Sequence, residues 1–239
     1  MKVYHSLTEI PTLKKPISLC IGVFDGLHLG HKFLLEKIKE YHGTSVILTF
    51  INHPLELLKK DTPPPLLLTT QSEKVQLLAI SEIDVAILIP FTREIAEMTY
   101  QMFLSEIYIA LSFQHLYIGE KDTIGKDRKG TIEALTSFGL ENHFQVHSIP
   151  KLTKENRTIS TSWIRESLRN GDLLTAENLL GRKVSLSKIH AGQIKPGNYL
   201  VRIFHNHDNS FSEEIITIKE GENFESEKPS IITFLKAME

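Results

Sequence analysis

The sequence of 239 residues holds a single cysteine, Cys20, so no internal disulfide can form and a buried, inert thiol is expected. It holds no apolar run long enough to span a membrane, and Met1-Lys2-Val3-Tyr4-His5-Ser6 lacks the apolar core of a signal peptide. A cytoplasmic protein without a membrane partner is therefore expected. Neither charge is in excess: 27 Lys and Arg against 29 Asp and Glu leave −2, which gives no basis for nucleic-acid binding. Repeats and low-complexity tracts are absent, and Pro63-Pro64-Pro65 is only a short stiff loop. What remains is an ordinary globular composition, with room for one large domain or two small ones.

The chain is organised around Gly22-Val23-Phe24-Asp25-Gly26-Leu27-His28-Leu29-Gly30-His31. The apolar run Ile17-Ser18-Leu19-Cys20-Ile21 before it reads as a buried parallel strand. The stretch from Lys32 to Glu40 reads as a helix, with Leu34, Ile38 and Tyr41 at helical spacing. A turn from first strand to first helix is where open α/β sheets bind phosphates, because free N–H groups and the positive helix end meet there. Gly22, Gly26 and Gly30 let the backbone turn and a ligand approach. His28 and His31, three apart, can face one side and donate to charge on a phosphate. Taken alone, two such histidines are equally a surface accident.

Strand and helix signals alternate through residues 44–149. Strands are expected over 44–50, 84–90, 115–119 and 144–149, and helices from Thr69, from Thr92 to about Leu111 with a break near Thr99, and over 131–140. This is the signature of a parallel sheet covered by helices on both faces, with its motifs along one edge. Ser160-Thr161-Ser162 opens a helix carrying Ile164, Arg165 and Leu168, and Asp172 caps a shorter one ending at Gly181. Beyond Arg182 the texture becomes short strands over 184–194, 199–205, 214–218 and 230–235. Two domains follow, 1–181 and a small β-rich 182–239. The 58 residues after Gly181 are marginal as an independent fold.

The ten-residue string resembles the signature of the nucleotidyltransferase superfamily. Its form Gly-x-Phe-Asp-Gly-x-His-x-Gly-His resembles the bacterial FAD synthetases, usually fused to riboflavin kinase. Thr49-Phe50-Ile51-Asn52-His53-Pro54 is similar to the family's Thr-Phe-x-Pro-His-Pro, with Asn52 in place of Pro. Ser160-Thr161-Ser162-Trp163-Ile164-Arg165 is similar to Ser-Ser-Thr-x-Ile-Arg, with Trp163 where Arg is common. Residues 119–130 keep the Gly119, Gly125, Arg128 and Gly130 frame of Gly-x-Asp-Phe-x-Phe-Gly-x-x-Arg-x-Gly, but carry Lys121, Asp122 and Ile124 at its acidic and aromatic positions. Leu68-Thr69-Thr70 through Glu73-Lys74 and Ile89-Pro90-Phe91-Thr92 also match. The resemblance covers roughly residues 1–182 and implies a Rossmann-like nucleotidyltransferase domain.

It further implies an FMN adenylyltransferase with ATP and FMN as substrates and magnesium as the metal. His28 and His31 would stabilise the α-phosphate and leaving group. Arg165 with Ser160, Thr161 and Ser162 would hold the outer phosphates. Gly22, Val23, Phe24, Asp25 and Gly30 would lie against ATP, with Asp25 ordering the turn or near the ribose or metal. Asn52, His53, Gly119, Asp122 and Arg128 would serve the flavin. No metal ligand is named by the sequence. Taken alone, Ser160-Thr161-Ser162 is a plain cap, Asn52-His53-Pro54 a stiff turn, and 119–130 a solvated loop. The rivals are another small-molecule nucleotidyltransferase and a non-catalytic flavin- or nucleotide-binding protein. A class I tRNA synthetase would need a Lys-Met-Ser-Lys-Ser segment, which is absent. Only residues 192–202 look like part of a kinase module, and its Gly-Phe-Pro-Thr-Ala-Asn segment is missing. Kinase activity is thus expected to be lost, the tail being a shortened barrel that covers apolar surface of the first domain or of a partner chain.

Overall fold

The structure, a computed structural model, describes residues 1–40, 42–58, 66–186, 194–205, 210–219 and 230–238. Tyr41, Pro63-Pro64-Pro65 and the 187–193 part of the strand expected over 184–194 lie outside them. The chain forms two compact units. The first comprises Met1–Phe24, Gly30–Pro65 and Val75–Leu152; the second comprises Asp25–Leu29, Leu66–Lys74 and Thr153–Glu239. None of the breaks between these units falls at Gly181. Both helices after residue 160 fall in the second unit, where Arg165 of the first bonds Asp25 and Leu66, and Arg182, just past the second, bonds Gly26.

The first unit is built on six strands: β1 Lys2–Tyr4, β2 Ile17–Ile21, β3 Thr44–Phe50, β4 Val85–Ile89, β5 His115–Gly119 and β6 Gln145–Ile149. Their spatial order is β1-β4-β3-β2-β5-β6, and every neighbouring pair is parallel. Runs such as Val85-Ala86-Ile87-Leu88-Ile89 are buried at every position, as strands covered on both faces must be. From β2 the chain builds outward through β3 and β4 on one side and through β5 and β6 on the other. The order reverses between β2 and β5, and ligands of such sheets gather at the carboxyl ends there. One face carries Leu19, Val46, Leu48, Ile87, Leu116 and Ile118 into a core with Phe103, Leu104, Ile107 and Phe113.

Helices connect these strands: α1 Leu29–Lys39, α2 Pro54–Leu58, α3 Gln71–Ile80, α4 Arg93–Glu97, α5 Tyr100–Leu111 and α6 Ile132–Glu141. The break expected near Thr99 is a new start, since Thr99 caps α5 by accepting from the Met102 N–H. Thr70 and Glu73 exchange the two bonds of a capping box at α3. In α1 the buried pair is Leu35 and Ile38, one position away from the expected Leu34. Pro54 was expected in a turn and instead opens α2, where its missing N–H has no helical partner to lose. Strand β1 has only three residues and leaves no pattern to read.

In the second unit, α7 Thr161–Arg169 and α8 Leu173–Leu180 follow a small hairpin of β7 Thr153–Lys154 and β8 Arg157–Thr158. Asp172 caps α8 and Gly181 ends it at φ 65°, as expected. The tail is an antiparallel sheet of β9 Ser185–Leu186, β10 Gly197–His205, β11 Ser210–Ile218 and β12 Ser230–Met238, in the order β11-β10-β12-β9. Tyr199, Val201, Ile216, Ile218 and Phe234 are buried within this unit.

On the second face of the first unit's sheet, His115 Nδ1 lies 3.0 Å from His147 Nε2, and Tyr117 stacks on His147 at 4.5 Å. Burial pushes both imidazoles below their ordinary 6.5, and His115 pushes His147 further. The unfolded chain takes up these protons at higher pH than the folded one. The associated stability is therefore present above 6.5 and is lost as pH falls through the lowered folded values. The urea midpoint should accordingly drop between about pH 7.5 and about pH 5, and drop less in His115→Gln/His147→Gln. An identical drop in that variant would contradict this.

Candidate active site

The strand-to-helix turn begins in the first unit. The Gly22 N–H donates to Leu48 C=O at 3.1 Å, and Thr49 Oγ1 donates to Val23 C=O at 3.1 Å, so β3 holds the chain just past β2. Phe24 then takes φ 50°, a left-handed conformation that costs a non-glycine residue about 1–2 kcal/mol. Its buried ring folds back over Gly22, where an added Cβ would lie 3.1 Å from Phe24 Cε2. The same ring meets His31, in the first turn of α1, at 5.2 Å and 61°. Gly30 precedes His31 in that turn.

The turn continues in the second unit around Asp25, whose side chain is buried at 4% exposure. Its Oδ1 accepts from the Leu68 N–H at 2.9 Å and the Thr69 N–H at 3.2 Å. Its Oδ2 accepts from Arg165 Nη2 at 2.7 Å, and Arg165 Nε donates to Leu66 C=O at 2.7 Å. Gly26, at φ 77°, donates its N–H to Thr69 Oγ1 and accepts from Arg182 Nη1 at 2.7 Å through its C=O. A Cβ there would come within 2.9 Å of Leu68 Cδ1. Leu27 follows at φ 35° and is fully buried. His28, 5% exposed, comes directly after this clamp.

Burial pushes the Asp25 carboxyl up, while Arg165, the Leu68 and Thr69 N–H groups and Lys74 pull it down. Burial pushes Lys74, Arg165 and Arg182 down, and Asp25 opposes it in each. Arg165 is bonded to this buried carboxylate, Lys74 acts on it through its charge, and Arg182 bonds the adjacent Gly26 C=O and also feels Glu73. The sequence marked neither Lys74 nor Arg182 for this neighbourhood. Lys74 stands in the family-like run Leu68–Lys74 and sits four residues before the buried Leu78 on α3, and these are its signals. Arg165 was expected to fork onto outer phosphates. In this structure it is 8% exposed, and Nε and Nη2 are committed to protein oxygens because α7 buries Ile164, Arg165 and Leu168 on one face.

Ser160 is the N-cap of α7: its Oγ accepts from the Trp163 N–H at 3.3 Å. Thr161 and Ser162 are the first two helical residues, with Ser162 exposed. Trp163 is covered by the Arg157 guanidinium at 4.7 Å, and Arg157 also pairs with Glu166.

Beside the carboxyl end of β2, the first unit holds a cavity of about 320 Å³. Gly22, Val23, Phe50, Phe91, Phe103 and Arg128 are among the residues lining it. Of the residues expected at the flavin, Arg128 lines this cavity, whereas Asn52, His53, Gly119 and Asp122 lie outside its lining. Asn52 bonds the Phe91 main chain, and His53 Nδ1 accepts from the Leu55 N–H at the start of α2. Gly119 and Asp122 close a turn, the Asp122 N–H donating to Gly119 C=O, and Asp122 pairs with Lys151 at 2.6 Å. The stretch 119–130 is an ordered loop: Ile124 and Gly130 exchange main-chain bonds at 3.1 and 3.0 Å, and Arg128 Nε donates to Thr123 Oγ1. Phe91 and Phe103 were not singled out as site residues, although Phe91 stood in a family-like run. Among the described residues no group of three or more His, Cys, Asp or Glu could hold a metal ion.

Comparisons with known proteins point one way. The sequence pattern of FAD synthetase matches residues 10–163. A bifunctional riboflavin kinase/FMN adenylyltransferase of Bacillus subtilis is 32% identical over 168 residues, 69% of this chain and 53% of that protein. One from Escherichia coli is 30% identical over 203 residues, 83% of this chain and 63% of that protein. This chain therefore spans between half and two thirds of the length of these relatives. A solved structure described as a macrolide-efflux protein from Streptococcus pneumoniae superposes with a TM-score of 0.73, over 99% of this chain and 90% of that one, at 19% identity. That likeness is one of fold.

The clamp makes a stability prediction. Asp25→Ala leaves Arg165 buried without its carboxylate and should destabilise the protein by about 3–5 kcal/mol in urea titration. The apolar double replacement Asp25→Leu/Arg165→Met should cost less than that single change. Equal or larger loss in the double variant would show that the pair is not the unit that matters.

Proposed function

The chain belongs to the FAD synthetase family, and on that footing we propose that it transfers AMP from ATP to FMN, giving FAD and pyrophosphate. The observation that carries this is the Gly22–His31 turn at the carboxyl end of β2, where the sheet order reverses, with an apolar cavity beside it. An FMN phosphate oxygen attacks the α-phosphorus in line. The bond to the bridging oxygen breaks, and pyrophosphate leaves with that electron pair. No enzyme nucleophile is required, so catalysis is positioning plus electrostatic stabilisation.

His28 and His31 donate to the charge that develops on the α-phosphate and the leaving group. Thr161 and Ser162, at the N-terminus of α7, suit the outer phosphates. Arg165 and Asp25 act as positioning residues: their pairing with Leu66, Leu68 and Thr69 keeps Gly26 and Leu27 in the left-handed conformation before His28. The flavin ring takes the 320 Å³ cavity, whose lining includes Arg128. Magnesium enters on the ATP triphosphate. The Asp25 carboxylate already accepts four protein bonds, so the ion would rest on the phosphate oxygens and water.

For residues 182–239 we propose a structural role, since the sequence lacks the Gly-Phe-Pro-Thr-Ala-Asn segment of the kinase module. Riboflavin with ATP and magnesium should yield no FMN by HPLC. FMN formed at a rate comparable with FAD formation from FMN would overturn this part. For the transfer itself, His28→Ala and His31→Ala should each lower turnover about 10²-fold or more while the protein stays folded, the effect of losing one transition-state donor. Near-normal turnover in both would refute the assignment.

A further inference from the structure

Asn52 stands where the family pattern has Pro, and its carboxamide makes two bonds that a proline cannot. Nδ2 donates to Phe91 C=O at 3.0 Å, and Oδ1 accepts from the Phe91 N–H at 2.8 Å. The parallel ladder between β3 and β4 pairs Phe50 with Ile89 as its last register partners, and one more bond runs from the Ile51 N–H to Ile89 C=O at 3.0 Å. Pro90 offers no N–H to the ladder. A side-chain amide carries one donor edge and one acceptor edge, as a peptide group does, so Asn52 supplies the next rung from its side chain.

The consequence falls on the cavity. Phe50 and Phe91 meet edge to face at 5.0 Å and 79°, and both rings line it together with Phe103. Asn52 itself is not in that lining. It reaches the cavity through the Phe91 main chain, and the next residue, His53, caps α2, from which Pro54 and Leu58 line the same wall.

We propose that Asn52 is a positioning residue for a planar heteroaromatic ligand: by fixing Phe91 against Phe50 it keeps an aromatic-walled slot open in the cavity. The inference rests on the adenylyl-transfer reading, under which the ligand is the isoalloxazine ring of FMN. Without the Asn52 carboxamide, the Phe91 N–H and C=O lose both protein partners, and the ring loses its fixed orientation.

The test is FMN binding by flavin fluorescence in the absence of ATP, together with the KM for ATP. Asn52→Ala should raise the FMN Kd about tenfold, the scale of losing a half-buried pair of hydrogen bonds, and leave the ATP KM within about twofold. Phe91→Leu keeps the Asn52 bonds and removes the ring, and should weaken FMN binding by a similar factor. The double variant should be no weaker than the poorer single one, because Asn52 acts through Phe91. An unchanged FMN Kd in Asn52→Ala, equal losses for FMN and ATP, or additive losses in the double variant would each overturn the proposal. If the parent chain binds no FMN, the proposed function fails and this inference fails with it. Binding by the parent with no change in Asn52→Ala fails the inference alone.

Discussion

A carboxylate taken out of water must be met by donors on every side, or the fold that buries it is unstable. Asp25 is that carboxylate here. Its demand for partners draws the Leu66–Thr69 main chain and the Arg165 guanidinium onto the turn before His28. Arg182 joins through Gly26 C=O, and Lys74 adds its field. Phe24 and Leu27 sit in left-handed conformations that non-glycine residues avoid, and the bonds made around Asp25 and Gly26 hold the turn between them. The turn before His28 is thereby preformed, and under the proposed adenylyl transfer rigid donors are worth more to a transition state than mobile ones.

The elements that were legible in the sequence are those with local causes. β2 and β4 announce themselves as apolar runs, and Thr70 with Glu73, Asp172 and Gly181 mark their helix ends by side-chain chemistry and φ. The elements that were not legible depend on distant partners or on too few residues. β1 joins the sheet with three residues beside β4, and the β7–β8 hairpin has two per strand. Asp25 and Arg165 are 140 positions apart, so neither the pairing nor the burial of an arginine on α7 can be read from local pattern. Asn52 and Phe91, 39 apart, are the same case: the departure from the family's Pro was visible, and its purpose was not.

The loop 119–130 carries Lys121, Asp122 and Ile124 at the family's acidic and aromatic positions. In the structure it keeps its frame. Asp122 pairs with Lys151, Ile124 and Gly130 close the loop, and Arg128 lines the cavity. Aromatic character at the cavity comes instead from Phe50, Phe91 and Phe103, on β3, just past β4 and on α5. Phe50 and Phe91 stand in the family-like runs 49–54 and 89–92, and the packed scaffold fixes such rings better than a loop would.

Adenylyl transfer by this chain is the central claim, and one measurement tests it most directly. The purified protein, incubated with ATP, FMN and magnesium, is followed by HPLC for flavin and by a coupled assay for pyrophosphate. The account predicts FAD and pyrophosphate appearing in equal amounts and only when both substrates are present. Bound FMN with no FAD formed, at any ATP concentration, would contradict it and leave a flavin-binding protein in its place.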